Sequence, residues 1–236
     1  MKKVIYAVFV VLMMFAFSSL AHAQSGTKGI YVGLVGGYVV ANDVDGKLSY
    51  GPASLISTNS GISLVSGYLV GAKVGWLTPF TNRILALELE YNHIEQKMDS
   101  WDNWVATPGF AAGLDGKIKI DLLMFNMIAR YPEGRFHPYV GAGAGAAYAK
   151  IGDTSFISLR GYEGVAGGGS DTVFAYQLMA GLDFDITENI ILGAGYKYLV
   201  ADKVQYDSFS AEMWGRGSMQ ADYKGHNIML SLSYMF

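Results

Sequence analysis

Apolar and polar residues alternate with a period of two along most of this chain, which predicts strands with one oily face and one polar face. The last stretch shows it most plainly. Ile228, Leu230, Leu232, Tyr234 and Phe236 fall on one face, and Asn227, Met229, Ser231, Ser233 and Met235 on the other. Eight segments read this way, at about 29–40, 66–78, 84–96, 116–131, 139–151, 173–186, 190–200 and 221–236. In the first, Ile30, Val32, Leu34 and Tyr38 oppose Gly33, Val35 and Gly37. In the second, Tyr68, Val70, Val74 and Trp76 oppose Gly71, Lys73 and Gly75. In the third, Leu85, Leu87, Leu89 and Tyr91 oppose Ala86, Glu88, Glu90 and Asn92.

The fourth segment changes phase. Ile118, Ile120 and Leu122 form its first apolar set, but beyond Leu122 the set becomes Leu123, Phe125, Met127, Ala129 and Tyr131. One extra residue flips every later side chain to the other face, so a β-bulge near Leu122 is expected. Connections alternate in length. Those at 78–83, 132–138 and 187–189 are short, whereas 41–65, 97–115, 152–172 and 201–220 hold roughly 20 residues each, the pattern of short periplasmic turns and long outer loops.

The pattern therefore predicts an all-β fold, an eight-stranded antiparallel up-and-down transmembrane β-barrel. A soluble barrel would also alternate, but the placement of charge discriminates. Lys73, Glu88, Glu90, Lys117, Lys119, Asp121, Arg130, Asp183, Asp185 and Lys197 are assigned to the face opposite the bulky apolar residues. They are expected to point into the lumen, because a Lys or Arg at the bilayer midplane costs about 2–4 kcal/mol. Aromatic residues bracket the oily faces. Tyr38, Tyr68, Tyr91, Tyr148, Phe174 and Tyr198 lie near the long connections, and Trp76, Tyr131, Phe184 and Phe236 near the short ones, as two interfacial girdles would require. Eight strands leave an interior that side chains fill. The expectation is a lumen plugged by paired charges, since buried charges need partners.

The amino terminus fits this destination. Lys2 and Lys3 precede the apolar run Val4 to Phe17, and Ala21-His22-Ala23 offers a small-residue cleavage site before Gln24. Residues 1–23 read as a signal peptide and 24–236 as a single barrel domain. The run is shorter than the roughly 20 residues a spanning helix needs. Without Lys2 and Lys3 the 17 basic residues fall to 15 against 20 acidic, a net charge of -5, which argues against nucleic acid as a partner. The absence of Cys predicts no lipid-anchored cysteine, disulfide or thiolate metal site. No later apolar run is long enough for a spanning helix.

Several stretches resemble the outer membrane protein β-barrel domain family, the opacity/adhesin type of small barrel. They are Gly29-Ile30-Tyr31-Val32-Gly33, Pro138-Tyr139-Val140-Gly141-Ala142-Gly143-Ala144-Gly145, Ala175 to Asp183, Gly195-Tyr196-Lys197-Tyr198-Leu199, and the carboxyl-terminal Phe236 with Tyr234 two places before it. The resemblance implies that Tyr234 and Phe236 form the signal read by the barrel-assembly machinery. It implies outer-membrane lipid and lipopolysaccharide as surroundings. The roles it implies are adhesion, immune evasion, envelope integrity or small-solute passage. Family members diverge in their loops, so activity does not transfer with the fold.

No catalytic, cofactor or metal site emerges from the residues. The lipid A deacylase-type barrel uses a His with a Ser two residues on; His93, His137 and His226 are followed at that position by Glu95, Tyr139 and Ile228. Asp43, Asp45 and Gly46 give only an incomplete calcium-loop series, and Gly164 to Ser170 lacks the strand–loop–helix setting of a phosphate cradle. Candidate surface contacts are Trp101, Trp104, Arg160, Trp214 and Arg216 in the long connections, since aromatics and Arg are enriched at binding hot spots. Three functions follow: a structural or surface-interaction barrel, a channel for small or hydrophobic solutes, and a lipid A-modifying enzyme, with the first favoured.

Overall fold

In the computed structural model, residues 29–40, 42–50, 56–98, 104–107, 110–152, 154–158, 163–166, 169–211 and 215–236 are described. Thirteen strands follow in order: β1 (Ile30–Val39), β2 (Asn42–Tyr50), β3 (Ile56–Leu64), β4 (Gly67–Leu77), β5 (Leu85–Met98), β6 (Trp104–Thr107), β7 (Phe110–Arg130), β8 (Phe136–Ile151), β9 (Thr154–Ser158), β10 (Glu163–Ala166), β11 (Ser170–Asp185), β12 (Ile190–Ala211) and β13 (Gly215–Met235). Eight of them, β1, β4, β5, β7, β8, β11, β12 and β13, pair antiparallel in succession, and β13 returns to pair with β1. The sheet is thus closed, with no free edge along the barrel wall. The closing seam runs from Tyr31 opposite Met235 to Val39 opposite Asn227.

The predicted strand positions hold, but the long connections are not simple loops. β2 and β3 form a hairpin from 42 to 64, whose first strand also pairs with β13 between Gly46–Tyr50 and Gly217–Ala221. β7 begins six residues before the expected start, and β12 and β13 run on together to Ala211 and Gly215. The wall therefore continues outward as hairpins, because backbone pairing extends past the oily belt, with register shifts between Ala201 and Val204 and between Tyr206 and Phe209 on β12.

Inner connections are tight. Between β4 and β5, Pro79 opens a short 3-10 turn (Pro79–Thr81) that Asn82 closes in the left-handed region at φ 52°. Between β7 and β8, Gly134 sits at φ 79°, a conformation that glycine adopts without penalty. The barrel packs so closely that a side chain at Gly143 would overlap the Asn126 amide, and one at Gly75 would overlap the Tyr31 ring.

The expected bulge near Leu122 is absent. β7 pairs with β5 from Gly116 to Ala129 and with β8 from Ile118 to Arg130 without a register shift. Residues 118, 120, 122, 124, 126, 128 and 130 all point inward and are buried, and the odd residues point outward. The change of phase in the sequence marks a change of surroundings at constant geometry. Below Leu123 the outside is oily (Leu123, Phe125 and Met127, each more than half exposed), and above it the outside is charged.

Candidate functional site

The interior is built in three layers. Toward the short turns, Tyr31, Leu77, Ala86, Ile128, Met179, Ile191 and Met235 form an apolar layer. Toward the hairpins, a larger apolar layer includes Val35, Leu69, Ile94, Ile118, Ile120, Leu122, Leu199 and Tyr223. Between them lies a polar layer built around Glu88 and Glu90. Lys73 Nζ is 3.4 Å from Glu88 Oε2, and Lys197 forms an ion pair with Glu90. Glu88 also accepts from the Tyr31 hydroxyl at 2.9 Å and from Asn126 Nδ2 at 3.0 Å. Glu90 accepts from Asn92 Nδ2 at 2.9 Å and from Asn126 Nδ2 at 2.8 Å, and Gln177 Nε2 donates to Asn126 Oδ1 at 2.7 Å. Glu88 and Glu90 are almost fully buried, so these partners offset desolvation rather than add to a wet surface.

Nearer the turns, His137 Nε2 lies 2.9 Å from Asp185 Oδ2, and its Nδ1 lies 2.7 Å from the Tyr131 carbonyl. Arg130 Nη2 is 3.7 Å from Asp185 Oδ1, beyond hydrogen-bond range. Asp183 borders a cavity of about 40 Å³ with Lys73, Glu88, Arg130, Lys197 and Ser231. That volume suits a water or two.

Seven of the ten residues expected in the lumen are there: Lys73, Glu88, Glu90, Arg130, Asp183, Asp185 and Lys197. Lys117, Lys119 and Asp121 are not. They point outward on β7, and the expected lumen placement is corrected because no bulge turns them in. Lys117 and Lys119 both reach Glu95, at 3.0 and 3.1 Å, while Asp121 lies 2.8 Å from His93 Nδ1 and accepts from the Tyr91 hydroxyl at 2.7 Å. The amides Asn92, Asn126 and Gln177 and the Tyr31 hydroxyl complete the inner network and were not singled out from the sequence. The available signal is their inward parity: Asn92 shares a face with Glu88 and Glu90 on β5, Asn126 with Arg130 on β7, Gln177 with Asp183 on β11, and Tyr31 alternates with the outward Ile30 and Val32 on β1.

Of the candidate surface contacts, Trp101, Arg160 and Trp214 lie outside the described residues. Trp104 pairs with Gly113 at the start of β6, and Arg216 pairs with Ser210 in the outer part of β13. Of the calcium-loop candidates, Asp43, Asp45 and Gly46 sit in β2 as part of its regular hairpin with β3. The terminal aromatics face outward, with Tyr234 and Phe236 rings edge to face at 4.9 Å and the Phe236 amide bonded to the Ile30 carbonyl at 2.9 Å.

The pattern of a known family, described as the outer membrane protein beta-barrel domain, matches residues 9–236. The chain belongs to this family. No curated protein sequence matches it. Among solved structures, OprG from Pseudomonas aeruginosa is 17% identical, with 89% of this chain and 98% of that one covered and a TM-score of 0.55. Neisserial surface protein A is 16% identical over 90% of this chain and 100% of its own, with a TM-score of 0.44. The outer membrane protease OmpT from Escherichia coli is 7% identical over 87% and 97%, with a TM-score of 0.48. At these identities the likeness concerns the fold.

In an outer-membrane barrel the exposed oily residues face lipid. Leu34, Val140, Leu178 and Leu230 lie in that belt, each well exposed. Tyr38, Tyr68 and Phe174 edge it toward the hairpins, and Trp76, Tyr131 and Phe236 edge it toward the turns. From Trp76 to Tyr68 along β4 is eight residues. At about 3.4 Å per residue and a strand tilt near 40°, that is a height of about 20 Å, the scale of the apolar band of such barrels.

Proposed function

We propose that the chain is a structural or surface-interaction barrel, closed along its axis, that presents extended hairpins outside the cell and carries out no catalysis. The layered interior carries this reading. A solute would have to cross an apolar layer, a hydrogen-bonded charge layer and a second apolar layer, with a cavity of about 40 Å³ bordering the charge layer. In this reading residues 1–23 direct export and are removed before Gln24. Tyr234 and Phe236 serve the assembly machinery, and outer-leaflet lipid surrounds the belt. Trp101, Trp104, Arg160, Trp214 and Arg216 are the contacts to test for a surface ligand.

The competing reading is passage of small or hydrophobic solutes, and planar-bilayer recording of the purified barrel separates the two. The expected result is no steady conductance from the unaltered protein, and none after Glu90→Gln/Lys197→Met, because the two apolar layers remain in place. A steady conductance from the unaltered protein would overturn the closed-barrel reading. Since the His137–Asp185 pair lies on the inner face near the turns, the enzymatic alternative finds its outward-facing feature in the His93–Asp121 pair. Its cross-strand neighbours in register are Val70 and Tyr148, which supply no serine to activate. Mass spectra of lipid A are therefore expected to be the same from cells with and without the protein.

A further inference from the structure

Above the aromatic edge, the outward face of β5, β7 and β8 is arranged in three rows. The first holds His93, Asp121 and Tyr148 side by side in register. The second holds Glu95, Lys119 and Lys150, and the third holds Lys97 directly opposite Lys117. Lys119 and Lys150 are also direct cross-strand partners. Like charges placed opposite each other on one face of a sheet repel. Glu95 offsets part of this by bonding both Lys117 and Lys119. The Lys97 and Lys150 side chains are exposed and have no ion-pair or hydrogen-bond partner among the described residues. In this patch four lysines meet two carboxylates, and Asp121 is already engaged by His93 and Tyr91. Yet the chain as a whole is acidic.

The location of this surplus is as informative as its sign. It begins one row outside Tyr148 and two rows outside Leu123, where the oily belt ends. Three neighbouring strands span about 10 Å, the width of a single headgroup. Lysine is a donor of charge without fixed geometry, suited to phosphate at a mobile lipid surface.

We infer that the β5–β7–β8 face is a binding site for the phosphorylated headgroup of an outer-leaflet glycolipid. Lys97 and Lys150 are its free cations, and the Glu95-bound Lys117 and Lys119 are its fixed centre. This deepens the proposed role by naming a lipid class and one side of the barrel, and it rests on the hairpin end lying outside. The conductance test above bears on the closed interior and is independent of it.

The experiment compares the full barrel with its Lys97→Gln/Lys150→Gln variant, both reconstituted into vesicles of phosphatidylcholine containing either bisphosphorylated lipid A or the same lipid A stripped of phosphate. Neither lysine side chain bonds another described residue, and the substitutions leave the backbone ladder intact, so the variant is expected to fold. With phosphorylated lipid, the wild type is expected to bind about 30-fold tighter than the variant, roughly a factor of five per lysine, and to unfold at higher temperature. With phosphate-free lipid, the variant is expected to equal or exceed the wild type in thermal stability, because the repulsion has been removed. Inorganic phosphate alone is expected to leave both unchanged, which separates a lipid site from a free-anion site. Equal affinity of the two proteins for phosphorylated lipid would overturn the proposal, as would a stabilisation by inorganic phosphate matching that by lipid. A Lys224→Gln control, on β13 across the barrel, is expected to bind phosphorylated lipid as tightly as the wild type.

Discussion

Lys197→Met is expected to destabilise the barrel by about 3–5 kcal/mol in urea unfolding from lipid vesicles, the cost of leaving a buried carboxylate without its cation. Glu90 is fully buried. Asn92 and Asn126 still donate to it, but neutral donors do not balance a full charge in a low dielectric. Adding Glu90→Gln to Lys197→Met removes the orphaned charge and keeps an oxygen for those amides. The double variant is therefore expected to recover to within about 1–2 kcal/mol of the wild type, because a neutral replacement of a buried ion pair is often tolerated. The cycle then gives a coupling of more than about 1 kcal/mol, which independent sites do not show. A cost for Lys197→Met below about 1 kcal/mol would match an exposed pair and mean that the middle layer is wet and open.

The second large effect tests the outside of the same wall. Phe125→Arg is expected to cost about 2–4 kcal/mol, and Asp121→Arg about 0–1 kcal/mol, although both sites lie on the outward face of one strand. Phe125 pairs with Leu89 and Ala144 in the oily belt, while Asp121 lies two outward rows higher beside His93 and Tyr148. The difference is one of depth: the guanidinium at 125 is surrounded by hydrocarbon, and at 121 it reaches headgroups and water. Equal costs at the two positions would mean that the oily belt does not end where the pattern changes phase.

β7 also shows what the sequence revealed and what it concealed. For β1, β4, β8, β11, β12 and β13, assigning the bulky apolar side to lipid gave the observed facing, since long parts of these strands cross the belt. On these strands it placed Lys73, Asp183 and Lys197 inside, and on β5 as far as Tyr91 it placed Glu88 and Glu90 inside. On β7 the same rule was carried above the membrane, where it no longer holds. There the outside meets water and the inside is a packed apolar layer of Ile118, Ile120 and Leu122, so apolar residues point in and charges point out. The sequence carried the signal on the neighbouring strand. Beyond Tyr91, β5 reads His93, Glu95 and Lys97 outward against Ile94 inward, the same inversion without any insertion. Two strands that change phase at the same register point to a boundary between solvents, whereas a bulge in one would have shifted it against the other.

The hairpin extensions were missed for a related reason. Stretches such as Asn42–Tyr50 mix Asp, Gly, Lys and Ser with single apolar residues, so they lack the oily face used to recognise strands. Their pairing with β3 and β13 depends on backbone hydrogen bonds continued from the barrel wall. The partners of individual charges were not legible either. Opposite charges on the inner face could be matched in many ways: the register sets Lys73 opposite Glu90, yet its ammonium group pairs with Glu88.

The most direct test of the central claim is a scan of single spin labels along β7 from 117 to 130, in a chain that has no native Cys to remove. Collision rates with oxygen, which concentrates in lipid, and with a water-soluble nickel chelate are read at each position. The account predicts oxygen access at 123, 125, 127 and 129, nickel access at 117 and 119, and low access to both at every even position from 118 to 128. A reversal of parity at 122, or nickel access at the even positions, would contradict it.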